Sequence, residues 1–223
     1  RFDAAAGSDV MVAPTGVLSI ASGGILVTNN VGGTPSIQGG TLALAQLTGS
    51  GSFSNASSIS IATGATLDAS ARADGTLTLN SGQTLQHSGN SAGPIAVTGN
   101  LNLGNGTLLL GVNHTGLAHD SLAASGTVTY GGTLAVTNTG GALQAGDKFQ
   151  LFPSAVAGFA GYALQTVDVV NLVQYTWQND VATDGSVTVL TVSPITSPTL
   201  GVSQAGNTLT FSTRFSLSQY LFP

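Results

Sequence analysis

Gly75-Thr-Leu-Thr-Leu-Asn-Ser-Gly-Gln-Thr-Leu85 decides the fold class. Alternate side chains of a strand point to opposite faces. Leu77 and Leu79 therefore face one way, and Thr76, Thr78 and Asn80 the other. Ser81-Gly82 turns the chain, and Thr84-Leu85 opens the next strand. Variants of this unit recur at Gly16-Val-Leu-Ser-Ile20, Ile25-Leu-Val-Thr28, Gly40-Thr-Leu-Ala-Leu44, Ile59-Ser-Ile61, Ala65-Thr-Leu67, Ile95-Ala-Val97 and Gly106-Thr-Leu-Leu-Leu110.

The apolar anchors Leu42, Ile59, Leu77 and Ile95 follow one another at a nearly constant interval, and the series extends to Ile25, Val112, Tyr130 and Phe149. A fixed period with Gly-rich turns is how a solenoid reads in sequence. One coil per period predicts seven coils, with strands stacked about 4.8 Å apart. The expected fold is all-β: a single-stranded β-helix (β-solenoid) over residues 1–140, a β-rich C-terminal cap over 141–192, and a linker with a terminal strand segment over 193–223. A β-sandwich is the competing architecture, since the steps from Ile59 to Leu67 and from Leu77 to Leu85 are short enough for one. The cap is read from texture. Phe53 is the sole aromatic residue from 3 to 129, whereas Phe149, Phe152, Phe159, Tyr162, Tyr175 and Trp177 crowd the next segment.

Composition agrees with a β protein. Of 223 residues, 42% are hydrophobic and 6% charged, against roughly 25% charged in typical soluble domains. All nine acidic residues are Asp, and Lys148 is the single lysine, so the usual helix formers are nearly absent. The net charge is −5, and Arg1, Arg72, Lys148 and Arg214 are dispersed. That excludes a basic face for nucleic acid or anionic lipid. Cysteine is absent, which removes disulfide and thiolate chemistry. No apolar run reaches the roughly 20 residues of a spanning helix. Secretion would place the start of this numbering after a removed leader.

The strings Gly75-Thr-Leu-Thr-Leu-Asn-Ser-Gly82, Asp120-Ser-Leu-Ala-Ala-Ser-Gly-Thr-Val-Thr-Tyr-Gly-Gly-Thr-Leu134, Leu143-Gln-Ala-Gly-Asp-Lys-Phe-Gln-Leu-Phe152 and Gly206-Asn-Thr-Leu-Thr-Phe211 resemble the autotransporter-associated β-strand repeat proteins. The resemblance implies a passenger-type β-helix on a bacterial surface or secreted from it. It brings no catalytic residues.

Chemistry-bearing residues are few. His114, His119 and Asp120 are the candidates for a metal site. Asp68 and Asp74 flank Arg72, the arrangement nearest to a polysaccharide-cleaving site, and a solvated turn explains it equally. No cofactor motif is present, and the expectation is a protein without enzymatic activity or cofactor. Rows of Thr, Ser and Asn on a solenoid face would bind polysaccharide or pair with copies of themselves. The leading expectation is a self-assembling subunit of an extracellular filament or surface layer, joined by end stacking or exchange of a terminal strand. Its self-association candidates are Leu209, Phe211, Phe215, Leu217, Tyr220, Leu221 and Phe222. The alternatives are a monomeric glycan-binding adhesin and, third, a polysaccharide-active enzyme.

Overall fold

The computed structural model describes residues 56–195, except 71, 73 and 89–91, and the backbone of the strands before and after that span. Seven short strands come first: β1 (Phe2–Asp3), β2 (Asp9–Val10), β3 (Ser19–Ile20), β4 (Ile25–Val27), β5 (Asn30–Val31), β6 (Ser36–Ile37) and β7 (Thr41–Ala43). Three coils follow. The first holds β8 (Ser58–Ile61), β9 (Thr66–Asp68) and β10 (Thr76–Thr78), and the second β11 (Thr84–His87), β12 (Pro94–Thr98) and β13 (Asn100–Asn102). The third holds β14 (Thr107–Asn113), β15 (Ala118–His119), β16 (Ser121–Ala124) and β17 (Val128–Thr129). Then come β18 (Thr133–Asn138), β19 (Lys148–Gln150), β20 (Gly161–Leu164), β21 (Val167–Asp168), β22 (Val173–Asp180), β23 (Ser186–Pro194), β24 (Thr199–Ala205) and β25 (Thr208–Arg214).

Most strands stack in three parallel sheets, β2 and β5 form a separate parallel pair, and the protein is a β-solenoid. The first face runs β20-β18-β14-β11-β8-β6-β3, the second β1-β4-β7-β9-β12-β16, and the third β10-β13-β17. Registers place like on like: Ile59, Leu85, Leu108 and Leu134 on the first face, Leu67 and Val97 on the second, Leu77 and Leu101 on the third. All of these are buried. The intervening residues point out, so Ser58, Thr84, Thr107 and Thr133 form an outer ladder, and Thr78, Asn102 and Thr129 another. Alternation in sequence has become inside and outside in space. Ile59→Val removes one methylene from a filled column and is expected to cost about 1 kcal/mol in a urea-unfolding measurement. No loss would mean that the column is loosely packed.

The coil is longer than the expected period. Leu85 pairs with Leu108 and Leu108 with Leu134, so one full coil separates each of these leucines from the next. That separation exceeds the step from Ile59 to Leu77 or from Leu77 to Ile95. Ile59, Leu77 and Ile95 lie on the first, third and second faces. Each step of the expected period thus crosses two faces rather than one coil, and three such steps return to the first face at Val112. Among the anchors, Ile25 and Leu42 alone lie on successive strands of one face. From Ala56 on the chain winds about four turns, each longer than the expected period.

From residue 141 the structure departs from a plain stack. An antiparallel sheet, β19-β23-β22-β21, is built from 148–194. Between its strands the chain returns to the solenoid, where β20 pairs in parallel with β18 and sets Tyr162 on Leu134. The solenoid ladder thus continues past the expected boundary at 140. One hydrophobic core runs through both parts, from Ile59 and Leu85 to Phe149, Phe152, Tyr175 and Val187. Tyr130 meets Phe152 edge-on with ring centroids 5.7 Å apart, and Phe159 lies 5.3 Å from Tyr130. β24 and β25 pair with each other and with no other described strand.

Candidate functional site

The three proposed metal ligands have separate partners. His114 Nδ1 lies 2.9 Å from Asp147 Oδ2, which ties the loop after β14 to the turn before β19. His119 Nδ1 lies 3.1 Å from the Leu117 carbonyl. Asp120 turns inward and accepts the backbone N–H of Gly111 at 2.7 Å and that of Gly93 at 3.0 Å. No group of three His, Cys, Asp or Glu among the described residues is placed to hold a metal ion.

Arg72 clasps Asp74 through two bonds of 3.0 and 3.1 Å. The Arg72 guanidinium, helped by the Thr76 N–H, holds the Asp74 carboxyl below its ordinary pKa. Asp68 is engaged with Ser70, whose N–H and hydroxyl donate at 2.8 and 2.6 Å. The two carboxylates thus serve two successive turns.

The terminal candidates divide. The backbones of Leu209 and Phe211 belong to β25 and pair with those of Gln204 and Val202 in β24. Phe215, Leu217, Tyr220, Leu221 and Phe222 lie outside the described residues.

A polar corner that sequence reading missed lies between the first and second faces. His87 ends β11 at an inward position, stacked on Ile61, with a side chain only 2% exposed. Its Nε2 is 3.0 Å from the Thr63 hydroxyl, on the exposed turn of the coil below. Its Nδ1 faces Asp120 Oδ1 at 3.5 Å, from the coil above, and has no hydrogen-bond partner among the described residues. The Gly93 backbone closes over the pair. A Cβ there would collide with the Thr63 hydroxyl and come within 2.7 Å of His87 Nε2. A cavity of about 210 Å³ opens beside them, lined by Gln86, His87, Gly111, Asp120, Thr137 and Thr139. Thr63, His87 and Asp120 come from three successive coils and are distant from one another along the chain. The one signal in sequence was a histidine at an apolar position of an alternating strand.

Two surface features complete the picture. The outer side of the second face carries a shallow groove of about 320 Å³, lined by Thr66, Ala96, Thr98, Ala123 and Ser125. Large exposed apolar side chains gather in the C-terminal part, with Val169 at 72%, Val170 at 86% and Leu172 at 56% exposure. No helix among the described residues is long and apolar enough to cross a membrane. Comparison of the chain with family models, curated proteins and solved structures gives no match.

Proposed function

We propose that this protein is a non-enzymatic structural protein of a bacterial surface, a subunit that associates with copies of itself into an extracellular filament or surface layer. The observation that carries this reading is the β24–β25 hairpin, which pairs with no other described strand. A two-stranded hairpin alone is marginal in water, so a further strand or surface adds most of its stability. Addition to an open strand of a second copy supplies it. The neutral outer ladders of Ser, Thr and Asn add to the argument, because few charges oppose edge pairing. The exposed Val167, Val169 and Val170 are a further apolar contact for a neighbouring copy.

Removal of residues 199–223 is expected to abolish association and leave a folded monomer, since the core described above is built between Ala56 and Val192. Light scattering and negative-stain electron microscopy of the two forms provide the test. Equal assembly of both, or a monomeric full chain, would end this reading. The groove on the second face favours a second reading, a monomeric adhesin for neutral glycans. A monomeric full chain that binds a glycan through Thr66 and Thr98 would establish it.

A further inference from the structure

We propose that Thr63 is an activated nucleophile that accepts an acyl group from an activated ester or thioester, with His87 as its base and Asp120 as the residue that positions the base. This goes beyond the structural role above and stands independently of it.

The proton positions follow from the neighbours. Both Asp120 oxygens accept backbone N–H groups, from Gly93 and Gly111. That carboxylate is an acceptor, and the group facing it across 3.5 Å is His87 Nδ1. The imidazole proton therefore belongs on Nδ1. Nε2 is left as an acceptor, and the hydroxyl within its reach is that of Thr63 at 3.0 Å. The order carboxylate, imidazole, hydroxyl is the arrangement that activates an alcohol.

The environment sharpens the effect. During the step His87 carries a second proton, and the positive charge faces the Asp120 carboxylate at 3.5 Å. The long approach of carboxylate to imidazole can shorten when that charge develops. Thr63 itself is exposed on its turn, where Ala65 N–H donates to the Ala62 carbonyl at 3.0 Å. A buried base thus serves a surface hydroxyl. Leucine or isoleucine at 87 would continue the register that holds Ile61.

The step balances. The Thr63 hydroxyl gives its proton to His87 Nε2, and its oxygen bonds to the carbonyl carbon of the donor. The donor's bond to its leaving oxygen or sulfur breaks, and the leaving group takes the proton from Nε2. The product is an ester on Thr63, and nothing is oxidised or reduced.

The experiment treats the intact folded protein with p-nitrophenyl acetate and follows acetylation of individual residues by mass spectrometry. Thr127 and Thr183, both exposed, serve as internal references. General-base assistance is worth about 10²–10⁴-fold, so Thr63 is expected to acquire acetyl at least about 100-fold faster than either. Unfolding in urea should erase the difference. Thr63→Ser should retain the preference, and His87→Gln should reduce it to the reference rate. If His87→Gln does not fold, the ratio of Thr63 to Thr127 in the unaltered protein, with its loss in urea, decides. A Thr63 rate equal to the references, or a preference that survives urea, would overturn the proposal.

Discussion

Asp168→Ala is expected to lower the stability of the folded chain by about 3–5 kcal/mol, the cost typical of stripping a buried charge from its partners. Asp168 is 3% exposed. Its Oδ2 accepts from Asn171 Nδ2 at 2.8 Å, Asn138 Nδ2 at 2.9 Å and the Tyr175 hydroxyl at 2.9 Å. Its Oδ1 accepts the N–H groups of Asn171 and Val170 at 3.0 and 3.2 Å. Asn138 closes the solenoid strand β18, and Tyr175 stands in the antiparallel sheet, so one carboxylate fastens the two parts together. Tyr175 in turn accepts the Leu143 N–H at 3.1 Å. Alanine removes the acceptor of the Tyr175 hydroxyl and of the Asn171 and Val170 N–H groups, while the Asn138 and Asn171 amides keep the Gly141 and Gly140 carbonyls. Asparagine keeps the shape but turns two donors toward others, and should recover little. Urea unfolding with an unchanged m-value is the measurement. A loss under about 1 kcal/mol would show that the network holds nothing together.

The same residue sets an acid response. Burial raises the Asp168 pKa, but the donors from Asn171, Asn138 and Tyr175 outweigh it and hold the carboxyl at about 2, below the ordinary 3.8. A pKa depressed on folding adds stability above the unfolded value and loses it as pH falls through the folded one. The contribution, about 2.5 kcal/mol by linkage, should be complete above about pH 4 and fade toward pH 2. In Asp168→Ala that part of the acid slope should vanish.

Gly132→Ala is expected to cost about 3 kcal/mol or more. Gly132 is buried with φ of +53°, a conformation that costs other residues about 1–2 kcal/mol. A Cβ there would also drive into the Gly106 carbonyl of the coil below. That oxygen accepts the Thr133 N–H at 2.9 Å, and the Gly132 carbonyl accepts the Ala160 N–H at 2.8 Å, so the collision disturbs the ladder on both sides. The narrower unfolded ensemble of alanine offsets only about 0.4–1 kcal/mol. Gly141→Ala, at an exposed position with nothing within 4 Å of the added carbon, should be nearly neutral. Equal effects at the two positions would refute the steric argument.

The fold class was legible because strand alternation is local. Leu77, Leu79 and Leu85 are buried, and Thr78 and Asn80 exposed, as their order in the chain requires. The coil length was not legible. Each coil has three short faces with similar strands and similar corners, so a period of two faces imitates a period of one coil. The ladder from Ser58 to Thr133 and the corner of Thr63, His87 and Asp120 follow only from the true coil. The same holds for β20, whose Tyr162 and Leu164 read as part of a cap and instead extend the first face.

Taken alone, the order of residues determined which side chains point inward, that the protein is all-β, and that helices and dense charge have no place in it. The tertiary structure decided which strand lies on which. Alternation is a property of one backbone segment, settled by its own geometry. Stacking depends on how much chain each corner consumes, and on Gly106, Gly93 and Gly132 letting separate coils approach. The distances along the chain from Thr63 to His87 and on to Asp120 acquire meaning only once the coils are wound.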